Sequence, residues 1–150
     1  MTKAELKQIL DTMLIEGEKA RKEGEIPISA ALVLPSKEVI YTHNEVEKEN
    51  NPFSHAEIKA LEEGMKKTHS RYLKDSILIV SLEPCLMCLG AILKAGVKTL
   101  YYVLDDKRLG GISAYHTFLG DKIEVVTLED ERFKKQLDSF FSSLRDKEKK

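Results

Sequence analysis

The sequence predicts an α/β domain of three layers around a mixed five-stranded sheet. Three observations carry that expectation. Five short β-rich runs alternate with helix-periodic segments. The first two runs are joined tightly enough for a hairpin, whereas the later ones are separated by helix-length stretches that demand parallel crossovers. Finally, 42% hydrophobic and 33% charged residues in 150 exclude a collagen-like or disordered chain and suit one domain over residues 1–150.

Residues 2–23 read as the first helix. Leu6, Ile9, Leu10, Met13, Leu14, Gly17 and Ala20 recur at three and four, with charges between them. Thr2 with Glu5 fits a capping box, and Gly24 fits the stop. Residues 29–34 and 38–43 form the hairpin around Pro35-Ser36-Lys37. Residues 44–53 are polar, contain Asn50-Asn51-Pro52, and read as loop. A helix follows over 54–65, with Ser54 as its cap and Glu57 three residues on. Residues 77–81 are a buried strand. Pro84 suits the first turn of a helix running to about Ala95, stopped by Gly96. Residues 99–103 and 123–127 are further strands. Between them, 107–120 admits a short helix, and the direction of the fifth strand stays open. Residues 131–145 form the last helix, with Phe133, Leu137, Phe140, Phe141 and Leu144 on one side. The tail 146–150 is expected to be solvated and frayed.

Net charge is −1 and the pI about 6.4, so no global basic footprint announces a nucleic-acid binder. Residues 131–150 nevertheless hold seven Lys/Arg against four Asp/Glu, a net of +3. No apolar run approaches membrane-spanning length, and Met1–Glu5 lacks the core of a signal peptide, so a cytoplasmic protein without a membrane partner is expected.

In doubly wound sheets, ligands sit where strands lead into helix N-termini. Two such junctions hold unusual residues: Ser54-His55-Ala56-Glu57 and Glu83-Pro84-Cys85-Leu86-Met87-Cys88. Cys85 and Cys88, three apart, place both sulfurs on one side of a first turn, where the helix dipole favours thiolates. With His55 they make a three-ligand N/S set that suits Zn²⁺ and leaves a fourth position for water. Glu57 would then stand beside that water as a proton carrier. Taken singly, each piece has a plainer reading. Ser54-x-x-Glu57 is a capping box. Cys-x-x-Cys opening a helix is also the thioredoxin-like redox arrangement. A structural zinc would need His43, His69 or His116 as fourth ligand, and none has paired spacing with the cysteines. Asn44 reads equally as a turn residue and Asp106 as a helix cap.

The combination His-x-Glu followed about 30 residues later by Pro-Cys-x-x-Cys is the zinc nucleobase deaminase signature. The likeness continues through Glu25-Ile26-Pro27-Ile28-Ser29-Ala30, Asn44, Leu82-Glu83-Pro84-Cys85-Leu86-Met87-Cys88-Leu89-Gly90-Ala91, Asp106-Lys107-Arg108-Leu109-Gly110 and Phe140-Phe141. Over nearly its whole length the chain resembles the bacterial tRNA-specific adenosine deaminase (TadA) family. That resemblance implies a cytidine-deaminase-like fold and one Zn²⁺ per chain, held by His55, Cys85 and Cys88. It implies Glu57 as catalytic proton carrier, and Asn44, Ala56, Asp106, Phe140 and Phe141 as contacts to substrate. It implies adenosine-to-inosine conversion at the wobble position of a tRNA anticodon stem-loop, by a homodimer. The apolar side of residues 86–93 is a candidate for the dimer contact. A free-base deaminase acting on guanine or cytosine would share all but the pocket walls. A non-catalytic zinc-stabilised RNA-binding module would have no use for Glu57. The sequence departs from the family at Ser29, where glycine is usual, at Phe53-Ser54, and in the loop 110–115.

Overall fold

A computed structural model describes residues 1–148, with residues 117 and 118 described by backbone alone. The elements in chain order are α1 (Lys3–Lys22), β1 (Ser29–Val33), β2 (Val39–His43), α2 (Val46–Glu49), α3 (Ala56–Thr68), β3 (Ile77–Leu82), α4 (Leu86–Lys94), β4 (Thr99–Leu104), α5 (Gly111–Leu119), β5 (Glu124–Thr127) and α6 (Glu131–Glu148). One sheet has the order β2-β1-β3-β4-β5. β1 pairs antiparallel with β2 and β3, while β3–β4 and β4–β5 are parallel. The mixed sheet is as expected, and the open direction of the last strand resolves as parallel because α5 forms a complete crossover.

Alternation along the strands makes the two outer layers. Ala30, Leu32, Leu78, Val80, Leu100 and Tyr102 face a core shared with Ala56, Ala60, Leu61, Leu89 and Ile92 of α3 and α4. Ala31, Ile79 and Val103 face the other way, onto Ile9, Leu10 and Met13 of α1 and Phe133 of α6. α1 and α6 lie side by side. Arg132 Nη1 donates to Asp11 Oδ1 (2.8 Å), Gln136 Nε2 to Leu14 O (2.8 Å) and Arg21 Nη1 to Ser139 Oγ (2.9 Å). Contacts advancing together along both helices make them parallel.

Local signals are realised with several differences, and α3 runs three residues past the expected end at 65, to Thr68. Thr2 Oγ1 accepts from Glu5 N–H (3.0 Å), capping α1, and Gly24 follows with φ +80°. The expected loop 44–53 contains α2, because the buried Glu25 carboxylate accepts from Glu47 N–H (2.9 Å) and Lys48 N–H (2.8 Å) and caps it from outside the segment. Ser54 does not cap the next helix. It is buried one residue earlier, and His55 holds the N-cap position. Pro84 likewise lies just before its helix, with Cys85 at the N-cap. The last helix runs three residues past the expected end, to Glu148; the rest of the tail expected to fray lies outside the described residues. Among the described residues, no helix is long and apolar enough to cross a membrane.

Candidate active site

The site forms along one edge of the sheet. β3 ends there, β4 ends beside it, and the antiparallel β1 begins there, as the pairings Ala30–Val80 and Leu82–Leu104 require. β2 also ends at this edge, since Ser29 pairs with His43. Two helices therefore open at one place. His55 and Cys85 occupy the N-cap positions of α3 and α4 in extended backbone (φ −72°, ψ 154° and φ −69°, ψ 171°). Neither side chain makes a capping hydrogen bond. An N-cap side chain normally satisfies a free N–H and is worth about 1 kcal/mol. Both helices forgo it, and the two side chains meet each other instead.

His55 Nδ1 lies 3.7 Å from Cys85 Sγ and 3.4 Å from Cys88 Sγ. One donor atom from each of the three residues falls within 4.8 Å of the others. Nitrogen and sulfur ligands at their usual distances from a tetrahedral Zn²⁺ stand roughly 3.5 Å apart. The donor set and its spacing thus fit that ion. Cys88 is fully buried in the first turn of α4, and Cys85 is half-buried. The Cys85 thiol is held down at about 4 by hydrogen bonds from the Cys88 thiol and from His55. Cys88 is pushed up because its proton is shared with Cys85 and because burial and the nearby Glu57 carboxyl disfavour a second negative charge. The hydrogen bond to Cys85 raises His55. Such a cluster holds protons where a divalent cation would neutralise the same donors.

Glu57, in the first turn of α3, is 4% exposed and contacts Cys88. Burial pushes its carboxyl above the ordinary range. A buried carboxyl beside the ligands, with its proton affinity raised by burial, is suited to carry a proton. Ala56 opens α3, so its N–H is among those that helix geometry leaves without an intrahelical partner. Its carbonyl accepts from Thr42 Oγ1 (2.7 Å), tying the helix start to β2.

Asn44 is buried directly after β2, and its neighbour Glu45 donates to Ser54 O (2.9 Å), next to His55. Asp106 follows β4 at the same edge. Its Oδ1 accepts from Arg108 N–H (3.1 Å) and Leu109 N–H (3.2 Å), so this carboxylate closes the 106–109 turn. Phe140 and Phe141 are half-buried on α6, edge to face at 5.4 Å, in the opposite layer. The Arg21–Ser139 bond sets them level with the end of α1, whose Glu16 and Glu23 reach His43 at the site edge (3.4 Å each). Glu83 and Glu25 stand within family-like segments of the sequence, where nothing assigned their side chains a role. Both are buried carboxylates that hold backbone N–H groups, and no periodicity marks a glutamate inside a loop as buried.

A family model described as the cytidine and deoxycytidylate deaminase zinc-binding region matches residues 3–104. The chain is 31% identical to a tRNA-specific adenosine deaminase of Aquifex aeolicus, over 91% of this chain and 93% of that one. It is 36% identical to the Haemophilus influenzae protein of the same name, over 88% and 80%. Among solved structures, one from work on A-to-I editing by tRNA:A34 deaminases superposes with a TM-score of 0.76 at 29% identity, covering 83% of this chain and 99% of that one. A guanine deaminase from Nitrosomonas europaea shares the fold, with a TM-score of 0.75 at 21% identity, covering 88% and 82%.

Proposed function

This chain belongs to the cytidine and deoxycytidylate deaminase family, and we propose that within it the chain is a tRNA adenosine deaminase. It is a hydrolase: adenosine and water give inosine and ammonia. The observation that carries this reading is the convergence of His55 Nδ1 with both cysteine sulfurs, with Glu57 buried against the same group.

His55, Cys85 and Cys88 would hold one Zn²⁺. Bound there, the ion would supply the Lewis acidity that brings a water's pKa from 15.7 toward ~7. The remaining work falls to side chains and backbone. Glu57 takes a proton from the attacking water as oxygen adds to C6 of adenine. It delivers that proton to N1, then takes the second proton from the new C6 hydroxyl and passes it to the amine, so that C6=O forms as the C6–N bond breaks and ammonia leaves. Its burial raises the carboxyl's proton affinity, which favours its taking the proton from water. Asn44 orients the nucleotide, and Ala56 N–H donates to the base. Asp106 lines the entry, and Phe140 and Phe141 offer aromatic surface to an unstacked anticodon loop.

The substrate is the wobble adenosine of an anticodon stem-loop, and the single domain spans residues 1–150 in the cytoplasm. The net positive final segment supplies phosphate contacts. A homodimer forms through the apolar side of α4, where Leu86, Leu89 and Leu93 meet Tyr115 and Leu119 of α5 in an open groove. Leu86 is 54% exposed there, a large apolar side chain suited to a second copy.

Ammonia release from an anticodon stem-loop RNA, free adenosine, guanine and cytosine tests the reading. Turnover on the RNA is expected. Turnover on guanine or cytosine alone would transfer the same chemistry to a free base.

A further inference from the structure

Across the site edge, the segment that carries Cys85 is fastened to the segment after β4 by one side chain that the chemistry above does not use. Glu83 is 1% exposed. Its Oε1 accepts from Asp106 N–H (3.2 Å), and its Oε2 from Ser113 N–H (2.9 Å). The Ser113 hydroxyl reaches both oxygens at 3.0 Å. The backbone makes the same connection. Glu83 N–H donates to Leu104 O (2.7 Å), Gly111 N–H to Pro84 O (2.8 Å), and Cys85 bridges to Gly110. Gly110 has no room for a side chain, because a Cβ there would meet the Glu83 carboxylate and Asp106 O.

The burial is costly unless every bond is made. A buried carboxylate that accepts from Asp106 and from Ser113 at the start of α5 couples that segment to its own backbone two residues from a sulfur ligand. We propose that Glu83 is a positioning residue: it docks residues 106–113 onto the Cys85 turn and so fixes both the metal ligand and one wall of the substrate entry. This rests on the zinc deaminase reading and adds a residue to it. Ser113, in the first turn of α5, is the other half of the latch.

Glu83→Gln keeps the shape but turns an amide NH₂ toward Asp106 N–H or Ser113 N–H, so one backbone bond is lost to donor facing donor. Two readouts follow on the zinc-loaded protein: zinc release to a chromophoric chelator, and trypsin cleavage after the exposed Lys107 or Arg108. Both are expected to quicken in Glu83→Gln, zinc release by about tenfold or more, the range seen when a metal site loses its outer support. Ser113→Ala moves both in the same direction by less, and Ser113→Thr restores them. Leu10→Ala, in the core on the far face, serves as the stability control. Should Glu83→Gln match wild type, or exceed it by no more than Leu10→Ala does, the latch is refuted. If Glu83→Gln does not fold, equal behaviour of Ser113→Ala and Ser113→Thr refutes it instead. Wild-type protein that takes up no zinc would reject the deaminase reading itself, whereas zinc-loaded wild type with an indifferent Glu83→Gln rejects only this inference.

Discussion

The two faces of the sheet settle their helix starts in opposite ways. On the α1/α6 face, Thr2 caps α1 with its hydroxyl, and Arg132, Gln136 and Arg21 fasten the two helices with side-chain bonds. On the α3/α4 face, both helix starts lack a side-chain cap, and the residues in those places are His55 and Cys85. One face uses its polar groups for stability. The other leaves helix ends unfinished and turns the freed side chains into a ligand set. Breaking polar groups should therefore abolish chemistry on one face and only soften the fold on the other.

The largest effect is expected at Cys88. Cys88→Ala removes a buried ligand, and the purified variant should hold no zinc by elemental analysis and release no ammonia. Glu57→Gln comes next. It should retain zinc and the wild-type circular dichroism spectrum, while turnover falls by about 10²–10⁴. Equal turnover in the glutamine variant would make Glu57 a structural residue and remove it from the proton path. On the opposite face, Thr2→Ala should lower stability by about 1 kcal/mol in urea titration. Turnover per zinc-loaded site should be unchanged.

Ser29 sharpens the contrast from within the sheet. Its N–H donates to Ser81 Oγ (3.0 Å), yet its own fully buried hydroxyl has no hydrogen-bond partner among the described residues. Ser29→Ala should thus raise the urea midpoint, by up to about 1 kcal/mol of stability. The smallest effect belongs to Arg132. Its hydrogen bond holds Asp130 below the ordinary carboxylate value of 3.8. A depressed folded pKa adds stability above that value and loses it as pH falls through the folded pKa. Arg132→Gln should accordingly lower the thermal midpoint slightly at pH 7, with the difference from wild type closing in acid.

The same contrast explains what could be read from the chain. Helix periodicity, the hairpin around Pro35 and the stops at Gly24 and Gly96 are local codes, and they placed the elements to within a few residues. The ligand set was legible because His55, Cys85 and Cys88 are chemically unusual and stand at the starts of two helices. The latch was not legible. Glu83 and Glu25 stand in the family-like segments, but nothing local marks them as buried, and their burial depends on backbone N–H groups 22 to 30 residues away. Ser54-x-x-Glu57 fits a capping box by pattern, but burial of Ser54 passed the N-cap to His55. The direction of β5 depended on α5, a helix kinked at Tyr115 whose residues carry no clean period.

Sequencing an anticodon stem-loop RNA after incubation with zinc-loaded protein is the most direct test of the central claim. Inosine, read as guanosine, should appear at the wobble adenosine with wild type and be absent with Glu57→Gln. An unaltered adenosine in the presence of fully zinc-loaded wild-type protein would contradict it.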